Sequence, residues 1–295
     1  MAVGEISYTV VVATGGRPEA LSNTLRDWQG QTAKPDKIVV VDFSGRESRF
    51  SGPVPVETIL SPVASAARQR NPGAERVKTD WIVFSDDDVR FGTELAEGVL
   101  QFLGRHPEAV AVFPRMRGSG HPVPGPWLRW YYDWQAGKKH ANHGAKLFGP
   151  GISTYPCWEK QSGPVESNWL PSTMLWIRTE EFCKVKFPNF EGYSAGEDAY
   201  LTHKIWRNLQ PKGKLYFLDW PEYDHFSIQS GIKLNRFALA RMAARNQRRI
   251  AREAMGLGWP EYLIKTLVHR IFLTAALLRA GRKGSRGEIA GIWAG

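Results

Sequence analysis

The sequence predicts an α/β protein with a mainly parallel central sheet and a helical extension at its C-terminal end. Two observations lead there. Three short apolar, β-branched or aromatic runs (SYTVVVA, KIVVV and WIVF) each stop at a polar loop or an acid. Between them the apolar residues switch to helical spacing. Runs without alternation read as strands buried on both faces, and alternation of strand with helix builds a parallel sheet.

Ser7 to Ala13 is the first strand, broken by the loop Thr14-Gly15-Gly16-Arg17-Pro18. Leu21, Leu25 and Trp28 make one face of a helix over Glu19 to Gln29, and Lys37 to Val41 is the second strand, ending at Asp42. Strand, loop, helix and strand in so short a length form a right-handed βαβ unit. A short strand is expected over Val54 to Leu60, a helix over Ala64 to Asn71, then the strand Trp81 to Phe84, which runs into Asp86, Asp87 and Asp88. Leu95 to Leu103 reads as a helix and Ala109 to Phe113 as a strand, which completes an alternating domain of nucleotide-binding type over residues 1–115.

From Met116 to Glu166 periodicity is lost among Gly, Pro, Trp, Tyr and His, and a loop that long is functional or mobile. Order resumes over Trp169 to Arg178. Gly196 then precedes a helix that opens with Glu197 and Asp198 and turns Leu201, Ile205 and Trp206 inward. Lys214 to Leu218 is a late strand, followed by Asp224 and His225. Two helices, Ile232 to Met255 and Tyr262 to Leu278, close the chain. The expected division is residues 1–230 (1–115 and an acceptor-side 116–230) and a basic, amphipathic helical extension over 231–295.

Composition narrows the function. At 295 residues and 42% hydrophobic the chain can bury a full core. Cys157 and Cys183 form neither a disulfide framework nor a metal-binding spacing. The N-terminus carries Glu5 without a basic stretch before its apolar run, so no leader is expected. No run of 18 apolar residues exists, so no membrane-spanning helix is expected, and the protein reads as cytoplasmic, soluble or peripheral. Of the 39 Lys+Arg and 29 Asp+Glu, residues 231–295 hold 13 and 3, so the first 230 residues are neutral with 26 of each and the extension carries the +10. A localised basic tail points to an anionic partner.

Acids directly after a buried strand lie where ligands bind in open α/β sheets, outside the carboxyl ends of the strands. In an extended segment Asp86 and Asp88 point the same way, toward a hard divalent cation. The alternative is a solvated turn or a helix cap.

The order of these motifs resembles the family 2 glycosyltransferases of GT-A fold, a nucleotide-binding sandwich, which use nucleotide-sugar donors. VVVATGGRPEALSNTLRDWQGQTAKPDKIVVVD is similar to that family's opening, AARQRNPG to its Arg/Asn-rich element, SDDDV to its D-x-D motif and GEDAYL to its E-D motif. The resemblance covers roughly residues 7–228. It implies that Thr14, Arg17, Asp42, Arg68, Asp86 and Asp87 hold the nucleotide sugar. It further implies that Asp86, Asp88 and His225 hold Mn²⁺ or Mg²⁺, and that Asp198 is the general base of an inverting transfer, with Glu197 beside it. The alternative for Glu197 and Asp198 is a favourable interaction with the helix dipole, and for His225 a structural role.

Three departures from the family's pattern stand out: no aromatic in the first loop, Phe43 where a second acid is usual, and Pro171-Ser172-Thr173 where glycines are usual. The aromatic group around Trp127, Trp130, Tyr131, Tyr132 and Trp134, with Trp158 and Trp169, suggests an acceptor site or lid, because sugar C–H faces stack on rings. Trp130, Trp134 and Trp169 are the named acceptor candidates. The acceptor is expected to be a glycan or a lipid-linked glycan of the cell envelope. Arg236 to Arg252 and the apolar helix after it suggest attachment to an anionic membrane surface. A nucleotidyltransferase of similar layout and a nucleic-acid-binding protein are the competing readings. No recognised nucleic-acid motif supports the second, so nucleic acid is not an expected partner.

Overall fold

The computed structural model describes residues 6–45, 50–120, 125–137, 145–190, 195–226, 235–280 and 285–295. Outside them lie the N-terminal residues expected to lack a leader, parts of the aromatic segment and the expected start of the basic helix at Ile232.

The first half follows the expected alternation. Strand β1 (Tyr8–Thr14) leads to helix α1 (Pro18–Gln29), β2 (Lys37–Asp42), β3 (Val56–Leu60), α2 (Ala66–Ala74) and β4 (Trp81–Asp86). β5 (Val89–Phe91), α3 (Leu95–Arg105) and β6 (Ala109–Met116) follow. The four apolar residues of β4 are at most 4% exposed, as a strand covered on both faces must be. Next come α4 (Pro126–Ala136), the small hairpin β7 (Leu147–Phe148) and β8 (Ile152–Ser153), and β9 (Val165–Ser167). The chain continues through β10 (Met174–Arg178), α5 (Thr179–Val185), α6 (Glu197–Leu209) and β11 (Lys214–His225). It ends with α7 (Arg236–Arg249), a π-helical turn (Ile250–Ala254), α8 (Trp259–Ala280) and α9 (Ser285–Ala294).

The central sheet runs β3-β2-β1-β4-β10-β6-β11-β5, with β9 also on β11. β3, β2, β1 and β4 are parallel, as are β6 and β11, while β10 sits antiparallel between β4 and β6. Trp28, Phe84, Trp176 and Phe217 fill the core between sheet and helices.

Beyond β5, the short strands β7, β8 and β9 and the helix α5, which the sequence did not announce, three further elements depart from expectation. The aromatic segment contains α4. Its Trp127, Trp130 and Trp134 recur at i, i+3 and i+7, Pro126 occupies the first turn, and Gly137 at φ 69° ends it in the left-handed region that glycine favours. The surrounding Gly and Pro hid a periodicity that is present. β11 runs seven residues beyond Leu218: after a bulge between Phe217 and Glu222 it pairs with β6 again at Arg115 and Met116, and Tyr223 to His225 pair with β5. α9 was not expected, and it lies along α7. The extension is also tied to the rest of the chain: Ile250 and Ala254 belong to the main core.

Candidate active site

The carboxyl ends of β1, β2 and β4 lie level, with Ala13 opposite Asp86 and Thr14 opposite Asp42. They open into a cleft lined by the first loop, Phe43, α2 and the start of α6. Gln69 of α2 ties two of these ends together, donating to the Thr14 carbonyl (2.7 Å) and the Val41 carbonyl (2.8 Å).

The three acids divide between two sides, although the chain is not extended throughout as expected: Asp86 ends β4, while Asp87 and Asp88 form the turn into β5. Asp87 points inward and is fully buried, accepting from Thr14 Oγ1 (2.5 Å), from Arg17 Nε (3.2 Å) and from a second Arg17 nitrogen. Burial pushes its carboxyl up to about 6, although Arg17 and Thr14 pull the other way. Asp86 and Asp88 share the other side with His225. β11 pairs with β5 so that His225 sits opposite Val89, and the Phe226 amide donates to the Asp88 carbonyl (3.0 Å). That register brings His225 Nε2 to 3.2 Å from Asp88 Oδ1 and 3.7 Å from Asp86 Oδ2. One donor atom from each of the three lies within 4.8 Å of the others. Two hard carboxylates and an imidazole fit Mn²⁺ or Mg²⁺, with room for donor oxygens to complete the shell. The hydrogen bond to Asp88 raises the His225 pKa despite partial burial, so a cation entering here displaces a proton. Arg17 also holds Asp88, at 3.1 Å.

Arg70 links this cluster to the second acidic pair. It is 2% exposed and donates to Asp86 Oδ1 (2.6 Å) and Ser172 Oγ (2.8 Å), with Glu197 Oε1 at 3.5 Å. Gly196, at φ 82°, turns the chain into α6, so Glu197 and Asp198 open the helix facing the cleft. Glu197 is buried, while Asp198 keeps part of its surface in the cleft. Burial, chiefly, raises both carboxyls above their usual range. Each therefore holds a proton more readily than an exposed acid, and a raised carboxyl is what a general base near neutral pH needs.

The structure thus brings together Thr14, Arg17, Asp86, Asp87, Asp88, His225, Glu197 and Asp198. The others are placed differently. Asp42 is buried and accepts from the Ser44 amide (2.7 Å) and hydroxyl (2.8 Å), holding the turn that presents Phe43. Arg68 is exposed, outside the cleft lining, with Nε donating to Asn189 (2.5 Å). Arg70 takes the inward position. The signal was available: Ala67, Arg70 and Ala74 share the buried face at helical spacing, and Arg68 lies off it. None of the three candidate acceptor tryptophans lines the cleft. Trp169 is 3% exposed in the core and donates to the Thr154 carbonyl (3.1 Å). Trp130 and Trp134 stand on the outer face of α4, because Tyr131 and Gln135 take the inner one. Phe43, which read as a departure, lies on the first loop, and a Cβ at Gly15 would come within 1.7 Å of its ring. The aromatic missing from that loop is thereby supplied from the end of β2.

The sequence profile of glycosyl transferase family 2 matches residues 9–158, over half of the chain. An uncharacterized glycosyltransferase of Haemophilus influenzae is 31% identical over 109 residues, covering 36% of this chain and 37% of that relative's length. S. aureus TarS 1-349 in complex with UDP-GlcNAc superposes with a TM-score of 0.54 at 16% identity, covering 91% of this chain and 72% of that one. GalNAc-T7 with UDP, GalNAc and Mn²⁺ gives 0.58 at 15% identity, covering 93% and 51%. At such identities these two speak for the fold, which is of GT-A type.

Proposed function

Because the chain belongs to glycosyl transferase family 2, we propose that it moves a sugar from a nucleotide-diphosphate sugar to a hydroxyl of a glycan or lipid-linked glycan, with inversion. The observation that carries this reading is that Asp86 belongs both to the Asp86–Asp88–His225 cluster and to the cleft at the strand ends that Glu197 and Asp198 line. Relatives of this fold have been crystallised with UDP-GlcNAc and with UDP, GalNAc and Mn²⁺, which supports a nucleotide-sugar donor.

In this reading Asp86, Asp88 and His225 hold a divalent cation, Mn²⁺ or Mg²⁺. When bound, it offsets the charge that develops on the leaving diphosphate. Thr14, Arg17 and Asp87 shape the nucleotide end of the cleft, with the Phe43 ring beside it. Arg68 contributes from outside, and Asp42 acts by fixing the Phe43 turn. Asp198 accepts the acceptor hydroxyl's proton as that oxygen bonds the anomeric carbon and the anomeric carbon–phosphate oxygen bond breaks on the opposite face. Buried Glu197, beside Arg70, holds the base in place.

A peripheral position on the inner face of an anionic membrane is part of the proposal. Among the described residues no helix is long and apolar enough to cross a membrane. Instead α8 packs on α4, with the Tyr131 and Phe272 rings stacked at 3.9 Å. The outer faces of both expose Trp127, Trp130, Leu263, Leu267 and Ile271. Tryptophans on α4 beside aliphatic residues of the basic extension suit an interfacial location.

The test is thermal stabilisation by a panel of nucleoside diphosphates and their sugars, with Mn²⁺ and with chelator. One nucleotide at about 100 times its Kd should add about 2.7 kcal/mol only when metal is present. Asp88→Ala should abolish that shift. No stabilisation by any member of the panel would sink the proposal.

A further inference from the structure

Beside the catalytic loop lies a second, larger recess, and its chemistry is cationic. α7 and α9 border a groove of about 990 Å³, into which Arg241, Arg245, Arg248 and Arg249 project from successive turns of α7. Spacing of four, three and one places all four on one helical face. Glu253 is the sole acid among the lining residues, and Arg249 (3.0 Å) and Tyr200 (3.1 Å) already engage it. The Nε of Arg241 is buried without a hydrogen-bond partner among the described residues. Arg248 stacks its guanidinium over Trp259, 4.9 Å from the ring centre, which fixes the group while leaving its N–H donors available. Cations crowded on one face repel each other, and the buried unpaired N–H of Arg241 costs free energy, so the arrangement suits an anion that pairs with Arg241 and Arg248.

The groove is joined to the site of chemistry. Asn246, on its wall, donates to the Ala195 carbonyl (3.0 Å), one residue before Gly196 and two before Glu197. Gly196 has no side chain where Ile250 presses in, since a Cβ there would lie 2.6 Å from Ile250 Cδ1. At the other edge stands Asn189, whose carbonyl accepts from Arg249 (3.3 Å) and whose side chain accepts from Arg68 (2.5 Å). Arg68 and Arg70 share α2, so a line of arginines runs from the cleft, past Asn189, into the groove.

We propose that this groove binds phosphate groups of the acceptor, so that the acceptor is a phosphate ester or phosphodiester whose hydroxyl is thereby held toward Asp198. This rests on the transferase reading above and adds a substrate class to it. Guanidinium groups pair bidentately with phosphate oxygens, which lysines on the same face would not do as well. The phosphate can belong to a soluble phosphorylated glycan or to a lipid-linked diphosphate, and both present the same oxygens.

Calorimetric titration of the full chain with tripolyphosphate and with farnesyl diphosphate, in chelator so that no metal recruits either, tests the proposal. The double variant Arg241→Gln/Arg248→Gln should bind at least about tenfold more weakly than the parent. Comparable parent affinities for the two probes identify phosphate alone as the ligand, and tighter parent binding of the prenyl probe identifies the lipid-linked source. Affinities within about two-fold of the parent for both probes would overturn the proposal. If the double variant does not fold, exposed Arg248→Gln alone should still weaken binding about threefold or more. Metal-dependent nucleotide binding is read separately on the same proteins. Its absence alongside intact groove binding would reject the donor reading but not the anion site, and the converse would reject the groove alone.

Discussion

Replacing Arg70 by methionine removes the one cation that, among the described residues, touches both Asp86 and Glu197. The side chains have similar length, so packing changes little, but Asp86 loses a 2.6 Å partner and Glu197 a 3.5 Å one. Breaking a fully buried ion pair costs about 3–5 kcal/mol, because the remaining charge is left without compensation. Here the Asp86 side chain is 23% exposed, so water recovers part of that. Methionine also removes the Arg70 Nε, which has no hydrogen-bond partner among the described residues and is itself a cost of about 1 kcal/mol. The balance is a loss of about 2–3 kcal/mol, read as a lower midpoint in urea unfolding at unchanged slope. Arg70 also opposes the rise of the Glu197 pKa, so that carboxyl should titrate higher still in the variant. Mn²⁺ should restore part of the stability, since a cation at Asp86 supplies the missing charge. A change below about 0.5 kcal/mol would refute the view that Arg70 holds the acidic cluster together.

Asp198→Asn should keep metal-dependent nucleotide binding and lose about 10²–10⁴-fold in turnover; retained turnover would remove it as the base and favour a nucleotidyltransferase. His203 is buried, with its Nδ1 2.9 Å from the Asn168 carbonyl, and burial lowers its pKa to about 4. Its unfolded value is near 6.5, so its contribution is complete above pH 6.5 and is lost as pH falls toward about 4. Stability should drop by about 2 kcal/mol between pH 7.5 and pH 5, and His203→Gln should flatten that slope in urea titrations; an unchanged slope assigns the acid sensitivity elsewhere. Serine at Trp127, Trp130, Leu267 and Ile271 should cut cosedimentation with phosphatidylglycerol vesicles several-fold without lowering the melting temperature; equal cosedimentation would free that face of a membrane role.

Local pattern determined a large part of this protein. The valine runs of β1 and β2 and the WIVF of β4 can only be strands covered on both faces, and strands alternating with helices give a parallel sheet. The run of acids directly after β4 marks the strand end where a ligand site forms, although it is the turn at Asp87 and Asp88 into β5, and not strand alternation, that sorts them. Gly196 followed by two acids reads as a helix start. These features depend on neighbours a few residues away, so the sequence shows them directly.

Tertiary structure decided which distant residues meet. His225 reaches Asp88 because β11 continues past its bulge to pair with β5, where His225 sits opposite Val89, 136 residues earlier in the chain and invisible in KLYFL. Arg70, not Arg68, enters the cleft because α2 lays its Ala67–Arg70–Ala74 face on β1 and β2. Trp130 and Trp134 face outward because α8 covers the other side of α4, and Phe43 fills the first loop because Gly15 leaves it room. From spacing alone the arginines of α7 suggested attachment to an anionic membrane surface. They border a groove because Ile250 and Ala254 anchor the helix in the core and α9 closes the far side. Spacing along a chain sets which way a side chain points. Burial and long-range pairing set what it points at.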